Sequence, residues 1–127
     1  MPAGIYTIPE ASMVGPTEQQ VRDAKIDCLV GRAAYAQNPR GRIVGDVHGF
    51  LKLVLPPADL RLLRVHAVGE QATELVHIGM VAMMSGAGAD RFNRACFNYP
   101  TLGDLYKFAP YDAMLQSRGR NMPKPAG

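Results

Sequence analysis

The stretch Gly49-Phe50-Leu51-Lys52-Leu53-Val54-Leu55, then Pro56-Pro57-Ala58-Asp59, then Leu60-Arg61-Leu62-Leu63-Arg64-Val65-His66-Ala67-Val68, decides the fold. Two apolar runs flank a short turn-forming segment, the pattern of a hairpin. In the second run Leu63, Val65 and Ala67 share one face while Arg64 and His66 share the other, as in a strand packed on one side and wet on the other. Parallel pairing would need a crossover of roughly a dozen residues or more, which this gap cannot supply. The sheet is therefore expected to be mainly antiparallel.

Working outward, Ile5 to Ile8 alternates apolar and polar residues and stops at Pro9, which predicts a short strand that Ala11 to Gly15 continues. Thr17 and Gln20 have the spacing of a capping box and predict a helix running to about Lys25. Cys28 to Tyr35 is extended in character, with Gly31 marking a bulge, and Asn38-Pro39-Arg40-Gly41 punctuates the chain. Downstream, Gly69 opens a helix in which Ala72, Leu75, Val76, Gly79, Met80 and Met83 form one stripe. From Ile78 onward Val81 and Ala82 make the opposite side apolar too, so both sides must be covered, one of them by a partner chain or by other helices. Ser85 to Gly88 breaks this helix, and Ala89 to Phe97 reads as a short helical segment. Asn98-Tyr99-Pro100 is a turn, and Thr101 with Asp104 forms a second capping box that starts a last helix to about Gln116. The order predicts an α+β domain, a mainly antiparallel sheet with helices on one side, over residues 4–116. Residues 117–127, with Arg118, Arg120 and Lys124, read as a basic, flexible tail.

Composition narrows the function. The chain has 127 residues, 47% hydrophobic and 20% charged, with a net charge of +3, which are the values of one globular domain. That length cannot hold two nucleotide-binding domains, so chemistry needing both flavin and nicotinamide must be completed by another polypeptide. The longest apolar runs fall well short of the roughly 20 residues of a membrane span. The opening residues lack a basic-then-apolar leader, which predicts a cytoplasmic protein that meets no membrane. The basic residues are not interleaved with aromatics for base stacking, so no nucleic-acid partner is expected. Cys28 and Cys96 form no C-x-x-C pair. His48, His66 and His77 are too scattered to converge on a metal and read as surface histidines. Glu70 and Glu74, near the start of a helix, offset the positive end of its dipole. Gly86-Ala87-Gly88 follows a helix instead of a strand, which is the wrong context for a dinucleotide fingerprint.

Gly4-Ile5-Tyr6-Thr7-Ile8-Pro9-Glu10, Gly49-Phe50-Leu51-Lys52-Leu53, the run from Val65 through Gly69-Glu70-Gln71-Ala72-Thr73-Glu74 to Gly79, and Asn98-Tyr99-Pro100-Thr101 occur in a telling order. Together, from about Gly4 to Leu115, they resemble the C-terminal dimerisation domain of the pyridine nucleotide-disulfide oxidoreductases, and within that family its transhydrogenase branch. The resemblance implies a homodimerisation module of an FAD-dependent, NAD(P)-linked oxidoreductase, with FAD and NAD(P) belonging to domains these residues do not include. It implies that the chain alone binds no cofactor or metal and is catalytically silent. In the disulfide-reducing members a His-Pro-Thr-x-x-Glu motif reaches the partner's flavin. Here Tyr99 stands at the histidine position and Asp104 at the glutamate position. A phenol, with a reference pKa near ~10, is a poor proton shuttle beside an imidazole near ~6.5. Disulfide reduction is therefore disfavoured, while hydride exchange through a flavin needs no such base. By the same resemblance Tyr99 and Pro100 would touch a partner's FAD, and the Tyr99–Pro100 bond is a candidate for the cis form. The alternative is a subunit of a split flavoenzyme that lends Tyr99 and Asp104 to a separately encoded FAD- and NAD(P)-binding chain.

Overall fold

The hairpin is present, with a longer connection than expected. The structure, a computed structural model, describes residues 1–120. Strand β4 (Phe50–Leu55) pairs antiparallel with β5 (Arg64–Val68), Leu53 opposite Val65. Leu60 to Leu63 is not strand; Leu60 takes positive φ, and Arg61 forms an isolated bridge to Gly88. β5 also pairs with β2 (Ala11–Val14), β4 with β3 (Leu29–Ala34), and β2 with β1 (Ala3–Ile5), all antiparallel, in the order β1-β2-β5-β4-β3. The first two strands correct the sequence reading. Ala11 to Val14 does not continue the opening strand; it folds back on it, Gly4 facing Ser12, across a turn containing a cis Ile8–Pro9 bond.

One sheet face carries the core. Leu29, Ala33, Leu51, Leu53, Leu55, Val65 and Ala67 are buried there beneath α3 (Ala72–Met84) and α5 (Leu105–Arg120). Burial of such side chains, worth roughly 25 cal/mol per Å2 of apolar area, is what holds helices of this length in place. Two glycines set how close the helices come. A Cβ on Gly31 would lie 1.9 Å from the Ala109 carbonyl oxygen of α5, and one on Gly79 would lie 2.4 Å from Val65 Cγ2 of β5. Gly31 is thus not a bulge: the register runs through it unbroken, opposite Leu53, and its missing side chain lets α5 touch β3. Helix α3 is tied to α5 by Tyr106, whose hydroxyl donates to the Leu75 carbonyl at 2.9 Å and accepts from Gly79 N–H at 3.1 Å. At the outer edge of the sheet, the Asp112 carboxylate of α5 accepts the Arg32 N–H of β3 at 2.9 Å.

The opposite face is only partly wet, which overturns the surface reading of Arg64 and His66. The short α1 (Glu18–Asp23), with its Thr17–Gln20 capping box as expected, lies over this face. The salt bridge from Lys52 to Glu18 draws it down onto the sheet. Arg64 is 6% exposed, and its guanidinium donates to the Pro16 carbonyl and to His66 Nε2. His66 is half-buried. Burial first, then the Arg64 and Lys52 charges, lower its pKa to about 4 against a weaker opposing pull from Glu18, so at neutral pH the imidazole is the acceptor that Arg64 needs. His48 and His77 are exposed, as expected.

Several boundaries move. Asn38-Pro39-Arg40-Gly41 is more than a turn: it starts α2 (Pro39–Val44), with Asn38 as N-cap and Pro39 in the first turn. The helix expected to open at Gly69 begins at Ala72, since Gly69 and Gln71 both take positive φ. The Ala89–Phe97 segment is helical only as α4 (Ala89–Arg94). The final helix runs past Gln116 to Arg120, so residues 117–120 of the expected tail belong to α5, and residues 121–127 lie outside the described ones.

Candidate functional site

Tyr99, Pro100 and Asp104 lie on the segment from Asn98 to Asp104 that leads into α5. The capping box expected there is absent: Thr101 Oγ1 donates back to the Asn98 carbonyl at 2.7 Å, and Leu102–Asp104 forms a 3-10 turn without a side-chain cap. The hydroxyl instead closes the turn around Pro100. The Tyr99–Pro100 peptide bond is cis, and the Tyr99 side chain stands out from the surface, 75% exposed. Asp104 is half-buried. Tyr99 and Asp104 are therefore brought onto one short segment, with the phenol facing outward.

What fixes this segment lies some sixty residues upstream. Asn38, 2% exposed, accepts Gly41 N–H at 3.1 Å and donates through Nδ2 to the Thr101 carbonyl at 3.1 Å. Arg40 Nε donates to the Pro100 carbonyl at 3.0 Å. One side chain thus caps α2 and holds the Tyr99 loop, while its neighbour but one holds the next carbonyl. The sequence reading missed both residues, although Asn followed by Pro is a helix-start signal that would have flagged α2.

The first turn of α3 borders the same region: Gln71, Glu74, Leu75, Thr101, Leu102 and Gly103 enclose a shallow cavity of about 210 Å3. Of Glu70 and Glu74, expected to offset the dipole of this helix, Glu74 does lie in its first turn, and two further carboxylates hold the helix start. Glu10 accepts Thr73 N–H at 3.1 Å and Thr73 Oγ1–H at 2.7 Å, and these bonds lower its pKa. Asp46 accepts Glu70, Gly49 and His48 N–H; burial pushes its pKa up, but the three bonds outweigh it and the net shift is downward. Behind them the buried Tyr35 donates to the Glu70 carbonyl at 2.9 Å, and burial pushes its phenol well above the usual range. Glu70 therefore contributes its backbone to the turn and leaves its side chain exposed.

No helix among the described residues is long and apolar enough to cross a membrane, and no three His, Cys, Asp or Glu side chains among them could hold a metal. The Gly86–Gly88 stretch offers no phosphate cradle: Gly88 packs on the Leu60 carbonyl, 2.1 Å from where its Cβ would be, and the adjoining Ala89 N–H is spent on that same oxygen.

The site thus sits where a five-stranded antiparallel sheet, with two long helices on one face, leads through a cis-proline turn into the last helix. The family model for the pyridine nucleotide-disulphide oxidoreductase dimerisation domain matches residues 1–109, and the chain belongs to that family. Over 120 residues, 94% of this chain, it is 46% identical to the soluble pyridine nucleotide transhydrogenase of Mycobacterium tuberculosis. Over 118 residues, 90% of the chain, it is 41% identical to that of Pseudomonas entomophila. It spans only 26% and 25% of those proteins' lengths. Among solved structures, LpdA from M. tuberculosis superposes with a TM-score of 0.80 at 20% identity, covering 87% of this chain and 24% of that one. The HOCl-induced flavoprotein disulfide reductase RclA from Escherichia coli superposes at 0.76 with 26% identity, covering 84% and 25%. The expected family and fold both stand.

Proposed function

We propose that this chain is the self-pairing module of a flavin-dependent, NAD(P)-linked oxidoreductase of transhydrogenase type, and that it carries no redox turnover alone. The observation that carries this reading is the apolar surface the two long helices leave uncovered. On α5, Phe108, Tyr111 and Leu115 are 54%, 47% and 64% exposed at i, i+3 and i+7, one row along the helix. On α3, Val81 and Met84 are 59% and 81% exposed. A row of this kind gains by removal from water, and a second copy offers the same row. Light scattering on a sizing column at tens of micromolar should give a dimer, and Leu115→Glu should give a monomer that remains folded. A wild-type monomer would overturn the reading. The purified chain should not exchange hydride between reduced and oxidised coenzymes, and turnover by the chain alone would refute the silent role.

A second reading is favoured by the exposed Tyr99 on its clamped turn. In it the chain lends Tyr99, Pro100 and Asp104 to the flavin site of a separate FAD- and NAD(P)-binding chain. Tyr99 and Pro100 would then touch the flavin, Asn38 and Arg40 would hold them in place, and hydride chemistry would belong to the bound cofactor. Co-purification with such a chain, lost on Arg40→Ala while self-pairing persists, would select this reading.

A further inference from the structure

The face of the sheet opposite α3 and α5 holds a feature that pairing does not use. Between α1 and the sheet lies a cavity of about 220 Å3, walled by Val21, Ile26, Cys28, Val30 and Val54 and reached by the side chain of Arg64. Arg64 is 6% exposed, and a charge that deeply placed is normally paired. The acceptors around its guanidinium are uncharged: the Pro16 carbonyl, His66 Nε2, and Met13 Sδ at 3.7 Å. Glu18 lines the same cavity, but its two carboxylate oxygens are taken by Lys52 and Arg22. Arg22, Lys52 and Arg64 thus gather around this one carboxylate. His66, which could add a further charge, is held neutral by burial and by the Arg64 and Lys52 charges.

A guanidinium has five N–H donors in a planar fork suited to a carboxylate. Its bonds to Pro16, His66 and Met13 leave donors over, beside a lining in which Val21, Ile26, Val30 and Val54 are aliphatic and Glu18, Arg22 and Cys28 form the remainder. We propose that this cavity is a binding site for a small monocarboxylate with a short apolar body, its carboxylate on Arg64 and its chain against Val21, Val30 and Val54. The volume sets the size. It is smaller than the roughly 300–1,000 Å3 of pockets for drug-sized ligands, and it matches roughly seven water molecules, which suits a short chain or a single ring.

Hexanoate is the probe, hexanol its uncharged counterpart and inorganic sulfate the anion without an apolar body, each titrated into the full chain at neutral pH. Calorimetry should show hexanoate binding roughly tenfold or more tightly than hexanol, the discrimination a charge-assisted hydrogen bond supplies. Sulfate should bind more weakly than hexanoate. Arg64→Met should remove the preference for hexanoate over hexanol. Should that variant fail to fold, Val54→Glu serves instead: residue 54 stands directly opposite Arg64 in the strand register, so its carboxylate would occupy the anion's place and abolish hexanoate binding. Equal affinity for hexanoate and hexanol, sulfate binding as tightly as hexanoate, no hexanoate binding at millimolar concentration, or unchanged binding in a folded Val54→Glu variant would each overturn the proposal. None of these outcomes depends on whether the chain pairs with itself.

Discussion

Replacing Tyr106 with Phe tests the account of how α3 and α5 are joined. Tyr106 is fully buried, with its ring 5.0 Å from that of Phe92, so the substitution keeps the ring contact and removes one oxygen. That oxygen serves the Leu75 carbonyl and the Gly79 N–H, the two groups that one turn of a helix would join to each other. Leaving a buried backbone group unpaired costs about 1–3 kcal/mol. Two orphaned groups would double that, but these two stand one turn apart and recover part of the loss by a strained bond to each other. The expected loss for Tyr106→Phe is therefore about one group's worth, 1–3 kcal/mol. For a domain of this size each kcal/mol lowers Tm by roughly 4 °C. Urea unfolding of both proteins at one fixed concentration measures the loss, since self-pairing would make stability depend on concentration. Exchange of the Gly79 amide should quicken alongside. A loss below about 0.3 kcal/mol with unchanged Gly79 exchange would show that the hydroxyl does not tie the helices together.

Other outcomes follow from the same contacts. Gly31→Ala places a methyl on the Ala109 carbonyl and should cost about 2 kcal/mol or more by pushing α5 off β3, read by urea unfolding. Asn38→Ala should speed hydrogen exchange in residues 98–104, far from the substitution in sequence, because the Thr101 carbonyl and α2 lose their shared partner. Acid lability should come in two windows. The pKa of His66 is lowered in the fold to about 4 against roughly 6.5 unfolded, so between those values the unfolded chain binds more protons and stability falls as pH drops. The pKa values of Asp46 and Glu10 are also lowered, so their contribution is present above the unfolded carboxylate range near ~4 and is lost as pH falls below it. His66→Gln should flatten the upper window alone, and Asp46→Asn should shrink the lower without removing it, since Glu10 still contributes, in unfolding curves taken from pH 7 to 3.

The architecture was legible where one periodicity ruled an element. The alternation from Leu63 to Ala67 and the stripe from Ala72 to Met83 each gave the right element, because burial on one face leaves a repeating mark. Ends were less legible, since Gly69 and Gln71 adopt positive φ for reasons that lie in Asp46 and Tyr35. The polar side of β5 misled for a related cause: alternation reports that Arg64 points away from the core, and says nothing of α1 closing over it. At the candidate site, Tyr99, Pro100 and Asp104 could be picked out only by resemblance. Their supports, Asn38 and Arg40, are joined to them by bonds to backbone oxygens, which carry no signature in residue type.

The carboxylate of Asp112 on the Arg32 amide has a wider meaning. A sheet's outermost strand is an open invitation to further strands, the first step of fibril growth and of chain exchange. Here α5 supplies a counterfeit neighbour to one such strand, and the opposite border ends in a strand only three residues long. With both borders poor templates, backbone ribbons that would accept any neighbour are disfavoured, which leaves the choice of a partner to side chains.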